Sequence, residues 1–249
     1  MRERPVLIDL CSCAGGIARG YARAGFDVVC VDTKPQPNNP YPLCVDDALD
    51  VMFRLLDGQL VDFARRDGST LRIGAGDIDA AHASVPCQAY STTAKLAGNE
   101  GDPRLIEPMR ELLEEFGAPW AMENVPRAPL RRDLILCGSH FGLAAVDRFG
   151  LDVELRRHRV FESNVDLGAP PMPCRHGWHG RTASIFGSGG GWGFARASGE
   201  NRRGGYKPDR DTSARLLGLD GEGLTMHELS ESVPPVYGEY VGARLMAAL

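Results

Sequence analysis

The 249-residue sequence contains no apolar stretch near the ~20 residues a membrane-spanning helix needs, and no internal repeat. It has no excess of positive charge. The net charge is −5, which argues against general affinity for polyanions. Compositional bias is absent too: hydrophobic residues make up 43% and charged residues 24%, so disorder, collagen and coiled coil are excluded. The opening Met1-Arg2-Glu3-Arg4-Pro5 runs into Val6-Leu7-Ile8-Asp9-Leu10, too short and too acid-ended for a secretory leader, and none is expected. Seven cysteines form an odd, scattered set in a chain long enough to bury a core unaided. Reduced thiols in a cytosol are expected rather than a disulfide framework.

The average charge hides a local one. Residues 170–211 hold seven basic side chains (Arg175, Arg181, Arg196, Arg202, Arg203, Lys207, Arg210) against three acids (Glu200, Asp209, Asp211), so this segment is +4 and the remainder −9. A basic stripe on an acidic body is a footprint for a polyanion; a solvated basic loop explains the same residues.

Apolar patterning predicts strands over 5–10, 27–32, 78–84, 119–125, 134–137 and 159–162. It predicts helices over 17–24, 47–56, 104–116, 212–217 and 235–249. Strands alternating with helices imply βαβ units and an α/β fold with a doubly wound, mostly parallel sheet. The character changes from about residue 164. Pro170-Pro171-Met172-Pro173 is a stiff linker, and glycine-rich sequence follows, interleaved with Trp178, Phe186, Trp192, Phe194 and Tyr206. Long glycine-rich loops are usually functional or mobile. The aromatic residues form the core of a small subdomain or stack on bases. The expected division is a main domain of residues 1–163 and 212–249 with an insert at 164–211.

Two sets of residues carry chemistry. Asp9-Leu10-Cys11-Ser12-Cys13-Ala14-Gly15-Gly16 puts small residues where a strand hands over to a helix, which allows a ligand close to the backbone. Asp32, closing the next strand, is placed to accept hydrogen bonds from ribose hydroxyls. Together they support a nucleoside-containing cofactor, although an ordinary tight turn has the same composition. The G-x-G-x-x-G spacing of nicotinamide-binding turns is absent. The second set lies further along. Cys87, in Val85-Pro86-Cys87-Gln88-Ala89-Tyr90-Ser91, follows a strand and so sits at the carboxyl edge of the sheet, as a nucleophile or as a buried structural thiol. Glu123-Asn124-Val125 ends another strand at that edge. A thiol and a carboxylic acid on neighbouring strand ends are what covalent activation of a pyrimidine needs. Cys174-x-His176-x2-His179 offers three metal ligands with no fourth in view, so these residues are expected to pack or touch phosphate and no metal is expected. A zinc deaminase is excluded, because no H-x-E occurs and position 90 is Tyr.

In order and spacing, these segments resemble the cytosine-C5 DNA methyltransferase family in its short, phage-like form, over residues 6 to about 245. Asp9–Gly16 resembles the first cofactor motif, Asp32 the acid ending the second strand, and Asp47 the aspartate near the adenine. Pro86-Cys87-Gln88 with Ser91 resembles the catalytic loop, and Glu123-Asn124-Val125 the E-N-V motif. Arg157-x-Arg159 resembles the end of Q-x-R-x-R, and Ala214-Arg215-Leu216 the motif that follows target recognition. Val233-Pro234-Pro235 with Tyr240-Val241-Gly242 resembles the last motif. The departures are Cys11 and Cys13 for Phe and the first Gly, Val85 for Pro, Leu155 for Gln and Glu231 for Asn.

The resemblance implies a Rossmann-like, class I S-adenosylmethionine-dependent methyltransferase that acts on double-stranded DNA. It implies a monomer in a bacterial or phage-infected cytoplasm, with no membrane partner. Cys87, Glu123, Arg157 and Arg159 would be catalytic. Asp9, Leu10, Cys11, Ala14, Gly15, Gly16, Asp32, Thr33, Asp47, Ala48, Pro86, Ser232 and Val233 would contact S-adenosylmethionine. Gln88, Ser91, Arg181, Arg202, Arg203 and Lys207 would contact DNA. An RNA-methylating relative and an inactive DNA-binding relative are the alternatives.

Overall fold

A computed structural model describes residues 3–87, 90, 105–177, 180–185 and 206–249. Strand β1 (Val6–Leu10) is buried along its whole length, as a central parallel strand covered on both faces must be. It leads into helix α1 (Gly16–Ala24), which Gly25 stops at φ 113°, its N–H reaching the carbonyls of Tyr21 and Ala22. Strands β2 (Asp27–Asp32) and β3 (Leu43–Val45) precede α2 (Ala48–Leu56). The Asp47 side chain caps α2 by accepting from the N–H groups of Leu49 and Asp50. A hairpin, β4 (Val61–Ala64) and β5 (Thr70–Ile73), comes next, then β6 (Ala80–Ala83). Helix α3 (Ile106–Phe116) buries Ile106, Met109, Leu112 and Leu113, the stripe that its three-and-four spacing predicts. Strands β7 (Trp120–Asn124), β8 (Leu134–Leu136), β9 (Ala144–Val146), β10 (Asp152–Leu155), β11 (Arg159–Ser163) and β12 (Arg181–Ala183) follow. Helices α4 (Arg210–Leu217), α5 (Met226–Glu231) and α6 (Pro235–Ala247) complete the described chain.

Among the described residues, nine strands form one sheet in the order β5-β4-β3-β2-β1-β6-β7-β11-β8. Strands β3, β2, β1, β6 and β7 run parallel, while β11 is antiparallel to both β7 and β8. Side chains alternate across the sheet. Ile8 and Leu10 pack with Met52, Leu55 and Leu113 on one face. Leu7 packs with Ile17, Tyr21, Tyr237 and Val241 on the other. There α1 and α6 meet backbone to backbone: a Cβ on Gly20 would stand 1.9 Å from the Pro235 carbonyl oxygen, and one on Gly238 would stand 2.4 Å from that of Ile17.

A second sheet, β12-β10-β9, packs with α4 and α5 over a separate core of Val153, Leu155, Ala183, Leu216, Leu217 and Leu229. Ala14, from the turn after β1, is buried in that same core. The small sheet takes β9 and β10 from before residue 164, so it draws strands from both sides of the expected boundary. No helix among the described residues is long and apolar enough to cross a membrane.

Candidate active site

The strand order reverses between β1 and β6, and open α/β sheets bind ligands outside the carboxyl ends of strands at such a point. The turn after β1 is wound through left-handed backbone at Cys11 (φ 61°), Cys13 (φ 47°) and Gly15 (φ 72°). Several side chains hold it. Asp32 Oδ2 accepts from the Cys13 N–H at 2.8 Å, and Asp32 Oδ1 accepts from the Lys34 N–H at 3.0 Å. Asn39 donates to the Cys13 carbonyl at 3.0 Å, and buried Arg19 donates to the carbonyls of Ala14 and Gly15 at 2.6 and 2.9 Å. Gly16 has no room for a side chain, because a Cβ there would lie 2.8 Å from Val233 O and 2.9 Å from Ser232 Cβ. The structure thus brings Ser232 and Val233 against the first turn, more than 200 residues away in sequence.

Cys87 leaves the end of β6 and is partly buried, with exposed Pro86 before it. Burial pushes its thiol up; the Arg159 charge pulls it down and Glu123 pushes it further up. Glu123, at the end of β7, is 5% exposed. Arg159 begins β11, next to it, and its Nε lies 2.7 Å from Glu123 Oε1, an ion pair too bent to be a hydrogen bond. Burial raises the Glu123 carboxyl above its ordinary range, opposed by Arg159 and by a hydrogen bond from Ser84. Asn124 ties the two strand ends together, its Nδ2 donating to Val85 O at 2.9 Å.

Ser84 belongs to a buried chain that the sequence reading did not anticipate. Tyr21 Oη lies 2.7 Å from His82 Nδ1, and His82 Nε2 lies 2.8 Å from Ser84 Oγ. Burial lowers His82 to about 3, so the ring is neutral, with one nitrogen donating and the other accepting. With Tyr21 donating to Nδ1, His82 donates to Ser84 and Ser84 to Glu123. The visible signal was one imidazole inside an all-buried alanine strand, Ala80-Ala81-His82-Ala83.

The remaining expected residues are placed as follows. Arg157 donates through Nη1 and Nη2 to the carbonyls of Ile185 and Ser230 at 2.6 and 2.7 Å, bracing the small sheet against the end of α5. Burial, then the neighbouring Arg159 charge, lowers it to about 9. Asp9 and Leu10 are wholly buried in β1, and Cys11 packs partly against the core beside them. Asp47 uses its carboxylate as the α2 cap, with Ala48 buried behind it and Thr33 exposed beyond Asp32. Arg181 and Lys207 are exposed on the small-sheet side. Gln88, Ser91, Arg202 and Arg203 lie outside the described residues.

A crystal structure of a prophage-encoded Escherichia coli protein, provisionally assigned as a DNA modification methyltransferase, aligns over 98% of this chain and 99% of its own, with TM-score 0.54 and 15% identity. The two share a Rossmann-like α/β fold built on a large, mostly parallel sheet. In sequence, the chain is 26% identical over 187 residues to the type II methyltransferase M.AgeI of Thalassovita gelatinovora, covering 67% of this chain and 41% of that protein. It is 31% identical over 124 residues to the type II methyltransferase M.XorII of Xanthomonas oryzae pv. oryzae, covering 49% of this chain and 28% of that one. The aligned part is thus less than half the length of each curated relative. No family model matches the chain.

Proposed function

We propose that this chain methylates C5 of cytosine in DNA, with S-adenosylmethionine as donor, through a covalent bond between Cys87 Sγ and C6 of a flipped-out base. The observation that carries the reading is the grouping at one sheet edge of Cys87, the buried Glu123–Arg159 pair and the Gly15–Gly16 turn. The type II methyltransferase names of the matched relatives favour DNA as the substrate.

The residues present fit the donor. Each Asp32 oxygen takes one backbone N–H, which leaves acceptor capacity for two ribose hydroxyls. Gly15 and Gly16 present bare backbone beside Ser232 and Val233. Bound over that turn, S-adenosylmethionine supplies an electrophilic methyl group.

Cytosine C5 is too weak a nucleophile to take a methyl group unaided. The Cys87 thiol gives its proton to water and the thiolate adds to C6, breaking the C5–C6 double bond and pushing electron density towards N3. Glu123, whose carboxyl burial raises above its ordinary range, shares a proton with N3 and so meets that charge as it develops. Arg159 holds Glu123 in place and presents its remaining N–H groups to the base carbonyl. C5, now enamine-like, takes the methyl group. Loss of its proton to water then expels the Cys87 thiolate and restores the ring. A stacked base cannot be reached in this way, so the nucleotide must leave the duplex.

The test uses a duplex with 5-fluorocytosine at candidate sites. The fluorine cannot leave as a proton does, so the wild-type protein with S-adenosylmethionine should form a denaturation-resistant adduct that Cys87→Ala does not. Matched assays on duplex DNA and tRNA with labelled methyl donor assign the polymer. Methyl transfer persisting in Cys87→Ala, or a product methylated on an exocyclic nitrogen, would overturn the mechanism.

A further inference from the structure

Cys137 follows the last residue of β8 and is buried; His158 sits between Arg157 and Arg159, ahead of β11. Cys174 and His176 come after the proline-rich linker. These three segments converge, and one ligand atom from each of the four side chains lies within 4.8 Å of all the others. Cys174 Sγ is 2.9 Å from His176 Nε2 and 3.4 Å from His158 Nε2, while Cys137 Sγ is 3.4 Å from His176 Nε2. The two rings meet edge to face at 82°, with both Nε2 atoms against sulfur. Cys137 and His158 supply the partners that Cys174 and His176 lack in the sequence.

We propose that Cys137, His158, Cys174 and His176 bind one structural zinc ion. Tetrahedral zinc with sulfur at about 2.3 Å and nitrogen at about 2.0–2.1 Å holds neighbouring ligand atoms roughly 3.3–3.8 Å apart. Two of the three contacts above already fall in that range, and small rotations of the Cys174 side chain accommodate the third. Two thiolates and two imidazoles are a donor set for zinc and not for the hard cations magnesium or calcium. With four protein ligands the site is closed and has no position left for catalysis. Ser139 completes the surroundings. Its hydroxyl lies 3.2 Å from Cys137 Sγ and 3.6 Å from Cys174 Sγ and accepts from the Arg175 N–H at 3.2 Å, the placement of an outer-shell donor to thiolates.

The ion would clip the start of the basic, glycine-rich segment to the main sheet. Through His158 it would also fix the backbone that carries Arg157 to the small sheet and Arg159 to Glu123. The proposal stands apart from the methyl-transfer reading and does not need it.

The full chain, purified without chelator from zinc-supplemented cells, should hold one zinc per chain by elemental mass spectrometry. Exchange with cobalt(II) should give the intense d–d bands of a tetrahedral site together with thiolate charge-transfer absorption. Both signals should vanish in the exposed-ligand variant Cys174→Ser/His176→Ala and in His158→Ala, and persist in His179→Ala. Chelator should lower the melting temperature of wild type and leave that of the double variant unchanged. A metal-free chain that fails to take up cobalt would overturn the proposal, as would a Cys137–Cys174 disulfide in its place or zinc retained by the double variant. Zinc lost in His179→Ala but kept in His158→Ala would refute the ligand set.

Discussion

Asp9 is the last residue but one of the central strand, 0% exposed, and neither carboxylate oxygen has a hydrogen-bond partner among the described residues. Burial first, then the charges of Asp32 and Glu123, hold its pKa well above the ordinary aspartate range. The native state therefore keeps a proton on Asp9 at pH values where the unfolded chain has released it. A carboxyl raised on folding contributes stability that is full below its unfolded pKa, near 4, and is lost as pH rises towards the folded value. Within that window the loss is about 1.4 kcal/mol per pH unit. Asp9→Asn keeps the shape and removes the titration. Its constant offset, from burying an amide in place of a carboxylic acid, does not change with pH. As pH rises above about 5, the variant should therefore gain stability on wild type for as long as the folded Asp9 keeps its proton. Urea denaturation across that range measures this as a widening gap between two stability curves. Parallel curves would show that Asp9 is ionised in the fold, stabilised by something the geometry does not reveal, and the argument would fail.

Cys13→Gly should stabilise the fold by about 0.5–1 kcal/mol, because a side chain in left-handed backbone costs about 1–2 kcal/mol and glycine returns part of that gain as unfolded-state entropy; thermal unfolding measures it. Asp32→Ala should weaken S-adenosylmethionine binding by about 1.5–3 kcal/mol, the range for hydrogen bonds to a charged group, and calorimetry with unchanged affinity would move the ribose elsewhere. His82→Phe fills the same space without the chain from Tyr21 to Ser84. It should lower kcat up to about tenfold, as for one hydrogen bond of about 1.4 kcal/mol, with KM unchanged. Glu123→Gln should reduce kcat more than it weakens DNA binding, since its role grows in the transition state; a pure affinity loss would contradict that role.

The parallel core was legible because buried strands and amphipathic helices leave strong periodic signals. The segments at 27–32, 47–56 and 119–125 match β2, the capped α2 and β7 to within a residue or so at each end. The β4–β5 hairpin was not read, although Val61 and Phe63 alternate with Asp62 and Ala64 and Asp67-Gly68 marks its turn. Strands β9 and β12 are three residues each, too short for any period to show, and they exist because β10 lies between them. At the site, single residues at strand ends could be named from motif spacing. Their partners could not. Asn39, Arg19 and His82 act through tertiary contacts, and Arg157 occupies an expected position with its guanidinium committed to two backbone carbonyls. The outer members of the four-residue thiol and imidazole cluster lie 39 positions apart, so local ligand spacing could not reveal it.

The close seating of α6 on α1 also sets an order of events during synthesis. Gly20 and Gly238 let the two backbones touch, and Gly16 rests on Ser232 and Val233. The first helix therefore emerges long before the surface that covers it. At about 5–20 residues per second, α1 waits roughly 10–40 s with one face uncovered, until the ribosome has made α6. Contacts so distant in sequence also slow refolding, because a long loop must close before any of them forms. A ribosome stalled short of residue 235 would hold a chain whose first turn lacks its wall. The turn and helix that form earliest in the chain are thus completed last.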